Sequence, residues 1–217
     1  LFWGVGPLSQ DLGKQSLIFV SGTIGSGKST FIDYYLRCYC PNRSERSVAF
    51  DEKLIIHFDL KNRGRPEAID EKMWEDIKHS LDRADIDPTE IHDFDAEREP
   101  NQRLVRQVLQ KISKCLKSGS LGAKKYLILV IDNIDQSPVD CQTHCLILAQ
   151  DVLQVTSEIT AWKIVFPMWP QTLGRLKRES RLTVKETEYY ELELGHLDLS
   201  DFYRRKLEFI QKEYEPD

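Results

Sequence analysis

Short apolar runs alternate with longer amphipathic stretches along the whole chain. Leu17-Ile18-Phe19-Val20 is a continuous apolar run, and Tyr126–Ile131 is almost wholly apolar. Runs of this length, bounded by polar residues, predict strands buried on both faces. Lys53–Leu60, Trp162–Phe166 and the region Tyr189–Leu194 read as three further strands. Helical spacing appears from Glu67 to about Leu81 and again from about Cys141 to Thr156. It is clearest over Asn101–Lys117, where Leu104, Val105, Val108, Leu109, Ile112 and Leu116 share one face and Ser118-Gly119-Ser120-Leu121-Gly122 stops the helix. A helix starting at Thr30 should run to about residue 38, before Pro41-Asn42-Arg43-Ser44 breaks it, and Ser200 is a plausible N-cap for a last one. The acidic stretch Asp82–Pro100, with two prolines, reads as loop or short helices. After Pro167 and Pro170 comes a basic stretch from Arg175 to Arg181. Strands alternating with helices predict an α/β fold: a three-layer α/β/α sandwich around a five-stranded, mainly parallel sheet.

At 217 residues the chain can bury one substantial core, and 41% hydrophobic with 30% charged residues is an ordinary globular composition. The balance of 30 basic against 35 acidic residues gives −5, which supplies no general attraction for nucleic acid. No apolar run is long enough to span a bilayer. Five cysteines and no secretory signal favour reduced thiols and a cytoplasmic setting. Cys38-x-Cys40 and Cys141-x-x-x-Cys145 around His144 lack the paired spacing of a zinc site and read as packed thiols. Without an initiator Met, the chain reads as a piece of a longer protein with other domains.

The candidate chemistry begins where the first strand ends. Gly22-Thr23-Ile24-Gly25-Ser26-Gly27-Lys28-Ser29 has the form G-x-x-x-x-G-K-[ST], between a predicted strand and a predicted helix. Glycines let consecutive backbone N–H groups turn inward around a phosphate, and the helix that follows adds its positive end. Lys28 is placed to reach the β- and γ-phosphates and Ser29 to ligate Mg2+, so residues 22–29 with the adjoining Thr30 are the candidate nucleotide-binding set. The third strand runs directly into Asp132-Asn133-Ile134-Asp135. An acid at the carboxyl end of a buried strand lies where open α/β sheets bind ligands, so Asp132 is the second candidate Mg2+ ligand. Hydrolysis also needs a group to deprotonate water. Asn133 is no base, and Asp135 is the nearest carboxylate.

The loop Gly22–Ser29, with a later apolar strand ending in Asp132-Asn133-Ile134-Asp135, resembles the STAND and KAP branches of P-loop NTPases, relatives of AAA+ ATPases. His57-Phe58-Asp59-Leu60-Lys61 is similar to that family's second strand and polar turn, and Leu194–Ser200 to the segment leading to its lid. The resemblance implies a sheet of order 5-1-4-3-2, ATP as ligand and nucleotide-gated self-association in signalling or defence proteins. It divides the chain into a leading segment, 1–16, a core, 17–197, and the start of a lid or helical domain, 198–217. Phe2, Trp3 and Val5 would then stack on adenine, or else form an apolar clasp. Where family members carry an Arg or a polar sensor after strand four, this chain has Met168 and Trp169, with Gln171 or Thr172 as substitutes. Arg178, with Arg175 and Arg181, is a candidate arginine finger in cis or on a neighbouring subunit of a homo-oligomer; the alternative is a solvated basic surface. Three functions compete: an ATP-hydrolysing switch, a small-molecule or nucleotide kinase, and a module that holds nucleotide without turnover.

Overall fold

The computed structural model describes residues 17–32, 52–87, 91, 100–124, 126–156, 162–179 and 189–194. The readings for Phe2, Trp3, Val5, Cys38, Cys40, Arg181, most of Asp82–Pro100, the helix at Ser200 and the lid segment beyond Leu194 lie outside these residues.

Five strands, β1 (Leu17–Ser21), β2 (Lys53–Asp59), β3 (Tyr126–Asp132), β4 (Trp162–Met168) and β5 (Tyr189–Glu193), form one sheet in the order β2-β3-β4-β1-β5. Every pairing is parallel. Read from the other edge this is 5-1-4-3-2, as expected. The apolar runs are continuous because both faces of the central strands are covered. Leu17, Phe19, Leu127, Leu129, Ile131, Ile164 and Phe166 belong to one large core, whereas Ile18, Val20, Ile128, Val130 and Val165 join Ile32 in a second. β2 lies at the edge and alternates: Leu54, Ile56 and Phe58 are buried, while His57 and Asp59 are exposed.

The larger core is closed by helices α1 (Pro66–Arg83), α2 (Gln102–Ser118), α3 (Val139–Thr156) and α4 (Pro170–Arg178). Pro66 sits where a helix's first N–H has no intrahelical partner. In α2 the Asn101 side chain accepts the Leu104 N–H at 3.0 Å, and Gly119 closes the helix in the left-handed region. α3 buries Cys141 and Cys145 completely, and burial raises both thiols, Cys145 well above its ordinary value. The reading as packed thiols fits this burial. Beside them His144 Nε2 lies 2.7 Å from Asp70 Oδ1, joining α3 to α1.

Two details depart from the sequence pattern. β4 continues through Pro167 to Met168; its ladder with β3 ends at the Val130–Val165 pair, so the missing N–H interrupts no rung on that side. The stretch after Pro170 is a helix, with Thr172, Leu173 and Leu176 buried and Arg175, Lys177 and Arg178 in its last turn. Pro170 starts this helix rather than breaking it. Among the described residues no helix is long and apolar enough to cross a membrane.

Candidate nucleotide site

β1 and β3 bring their carboxyl ends to the same edge of the sheet, with β4 between them. The loop after β1 is held at its first residue from both sides. Gly22 N donates to Met168 O at 3.2 Å, and Leu194 N donates to Ser21 O at 2.7 Å. A Cβ on Gly22 would stand 2.5 Å from Ser26 Oγ and 3.2 Å from Leu194 O, so the close approach needs glycine. Gly25 and Gly27, at φ 76° and 80°, take the left-handed conformation that turns the loop. Phe31 N donates to Gly27 O at 2.7 Å, and residues 28–32 are helical, so a helix N-terminus faces the loop. Lys28 folds back over it, donating from Nζ to Gly22 O at 2.7 Å and to Thr23 O at 3.0 Å.

Two observations fit the loop to a phosphate and its counter-ion. Ser26 Oγ is buried with no partner among the described residues, a donor without an acceptor. The Ser29 hydroxyl lies near enough to the Asp132 carboxylate to favour its ionised form. Ser29 and Asp132 thus form the pair that would hold Mg2+, and Lys28, the glycine N–H groups and Ser26 the set that would hold phosphate.

Asp132 is 5% exposed at the end of β3. Its Oδ1 accepts Asn133 N at 2.8 Å, and its Oδ2 is 3.5 Å from His57 Nε2. Asp135 follows in a 3-10 turn, Ile134–Gln136, anchored by buried Ile134. Its Oδ2 accepts the Trp169 N–H at 2.9 Å, tying the β3 turn to the start of α4. Trp169 therefore contributes its backbone where no side-chain reading had placed it. His57 and Asp59 were read only as part of the second strand and its turn: register with β3 sets His57 beside Val130 and Asp59 beside Asp132, and Asn133 Nδ2 donates to Asp59 Oδ1 at 2.8 Å. Cross-strand register of this kind has no local signature.

The end of β4 and α4 supply the remaining residues. Met168 and Thr172 are buried and Gln171 is exposed. Arg175 donates to Gln142 Oε1, and Lys177 pairs with Glu191. Arg178 ends α4, about 12 Å along the helix axis from Pro170 at 1.5 Å per residue.

Residues 10–164 match the profile of a family described as an AAA domain. The chain belongs to that family. The match includes the phosphate loop, Asp132 and Asp135 and stops within β4, before Trp169 and Arg178. No curated protein matches the chain significantly. Loop, sheet order and family agree on an AAA-type P-loop NTPase domain.

The charges of this AAA domain oppose one another. Burial pushes the Asp132 carboxyl upward, but hydrogen bonds from His57, Ser29 and the Asn133 N–H outweigh it and hold the group below its ordinary value of 3.8. At Asp135 burial wins over the Trp169 N–H and Lys28, with the Asp132 charge adding to it, and the carboxyl is raised above 3.8. Burial lowers Lys28 against the attraction of Asp135 and Asp132. The two acids therefore act on stability with opposite sign. Ionised Asp132 contributes stability above pH 3.8 that is lost as pH falls through its lowered value. Asp135 favours its protonated form, so stability is lost as pH rises from 3.8 through its raised value. At pH 7, Asp132→Asn should lower the melting temperature of the ligand-free domain. Asp135→Asn should leave it unchanged or raise it, each shift being about 2–4 °C if the effect is about 1 kcal/mol. Thermal melts at pH 5 and pH 7 check the signs.

Proposed function

We infer that the chain binds ATP with Mg2+ and hydrolyses it, serving as a nucleotide-controlled switch in a larger multidomain protein of the STAND or KAP kind. The observation that carries this reading is the meeting of Ser29 and Lys28, on the phosphate loop, with Asp132 and Asp135, two strands away. Such an arrangement neutralises developing phosphate charge and needs little covalent chemistry. Lys28 holds the β- and γ-phosphates, and Ser29 and Asp132 hold the metal, which would offset phosphate charge when bound. Asp135 enters as a carboxylate whose charge acts on Lys28 together with that of Asp132. Arg178, in the last turn of α4, would act as an arginine finger, in cis or on a neighbouring subunit of a homo-oligomer.

Phosphate release from ATP by the wild-type chain, beside Asp132→Asn, tests the reading. Turnover that requires Mg2+ and is lost in Asp132→Asn supports a hydrolysing switch. ATP binding without turnover would instead favour a module that holds nucleotide. Phosphate appearing on an added acceptor would favour a kinase.

A further inference from the structure

Besides Asp132, the described carboxylates on the β2–β3 side of this edge that can take a proton from water are Asp135, on the turn after β3, and Asp59, at the end of β2. Asp135 is half-buried, gives Oδ2 to the Trp169 N–H, and neighbours the Lys28 ammonium. Its surroundings suit a group that holds the loop lysine and the start of α4 in place. Asp59 is differently set. It is exposed, it is the register partner of Asp132, and adjacent parallel strands lie about 4.8 Å apart. Register partners in a pleated sheet project to the same face. This is the face on which Ile32, from the helix after the phosphate loop, packs with Ile128 and Val130.

The orientation of Asp59 is fixed from one side only. Asn133 Nδ2 donates to Oδ1 at 2.8 Å, and the Lys61 N–H approaches the same oxygen at 3.4 Å. Oδ2 has no hydrogen-bond partner among the described residues, and the residue is exposed. Asn133 is itself held, because Gln136 Nε2 donates to its Oδ1 at 3.1 Å and its backbone is left-handed at φ 60°. The amide beside the metal aspartate cannot accept a proton, but it is turned to position a carboxylate on the next strand. A proton acceptor needs a defined direction and a lone pair open to water, and Asp59 has both.

We propose that Asp59, oriented by Asn133, is the general base of this domain. The inference rests on the ATP-hydrolysis reading. As the water oxygen bonds to the γ-phosphorus, the bond to the β–γ bridging oxygen breaks and its electron pair leaves with ADP. The water proton passes to Asp59 Oδ2 and from there to solvent. Asp135 is then a positioning residue, and Asn133 positions Asp59.

The test compares Asp59→Asn, Asp59→Ala and Asp135→Ala with the wild-type chain by phosphate release, by ATP affinity and by the identity of the nucleotide retained. Asp59→Asn should lower kcat by about 100-fold or more, within the range of a general base, with ATP affinity changed by less than about threefold. It should hold bound nucleotide as ATP where the wild type holds ADP. Added formate, a small carboxylate, should restore turnover to Asp59→Ala and not to Asp135→Ala. Turnover of Asp59→Asn within about threefold of wild type would overturn the proposal, as would formate rescue of Asp135→Ala alone. Should Asp59→Asn lose its fold, Asp59→Ala decides: turnover within about threefold of wild type, or a loss that formate does not restore, overturns the proposal. A wild-type chain that binds ATP without turnover overturns the hydrolysis reading itself, and the assignment of Asp59 with it.

Discussion

Lys28→Ala should abolish useful nucleotide binding while leaving the ligand-free fold intact. In the structure Lys28 Nζ spans the phosphate loop, bonded to Gly22 O and Thr23 O. The same ammonium neutralises the edge where Asp132 and Asp135 converge. Alanine removes the charge that would meet the phosphates together with the strut that keeps the loop open. Hydrogen bonds to charged groups contribute about 1.5–3 kcal/mol each, so losing one contact weakens ATP binding about 10- to 100-fold, and losing the loop's order weakens it further. The ligand-free domain has a smaller stake, because Lys28 already suffers from burial and its bonds run to loop carbonyls. Its melting temperature should move by no more than about 2–4 °C, the equivalent of about 1 kcal/mol. Titration calorimetry with ATP and a melt with and without nucleotide check both parts. Retained ATP affinity within about threefold of wild type would remove Lys28 from the site.

Phe19→Ala should have the largest effect on stability. Phe19 is fully buried in β1 and packs between Phe166, at 5.6 Å between ring centres, and Tyr189, edge-on at 5.3 Å. It therefore joins β1 to both neighbouring strands, β4 and β5, on the large-core face. Deleting a buried Phe costs about 3–5 kcal/mol through lost transfer energy and the cavity left behind. For a chain of this size that is a fall of roughly 10 °C in melting temperature. Because Phe19 stands just before the loop, residual folded protein should also bind nucleotide less well. Phe19→Leu, which keeps most of the volume, should recover much of the loss. Denaturant unfolding of both variants measures it. An alanine variant within about 1 kcal/mol of wild type would mean that this cluster is not central.

Much of this architecture was legible because it is local. The runs at Leu17 and Tyr126 name the central strands, since only doubly covered strands are apolar at every position. α2 announces itself through a one-sided stripe with Asn101 before it and Gly119 after it. The phosphate loop is contiguous, so its letters carry its geometry. Sheet order came from the family resemblance; the strands alone do not encode it. α4 escaped because Arg175–Arg181 was read only as a basic stretch and the buried face of so short a helix offers few apolar residues. His57, Asp59 and the Trp169 N–H escaped for a different reason. Each reaches the site through a register or a turn that brings together residues 34 to 75 positions apart, and no periodicity records such a meeting.

The hydrogen bond between Leu194 and Ser21 has a mechanical meaning. The Leu194 N–H is fastened to Ser21 O, and Leu194 O lies against Gly22, so the chain leaves β5 by way of the residue that opens the phosphate loop. Leu194 is thereby pinned to the peptide that opens the loop. A phosphate that spreads or tightens the loop would move the pivot, and a lever attached there would turn a displacement of tenths of an ångström into a swing at its far end. Fuel and output would share one joint, with no relay through the core.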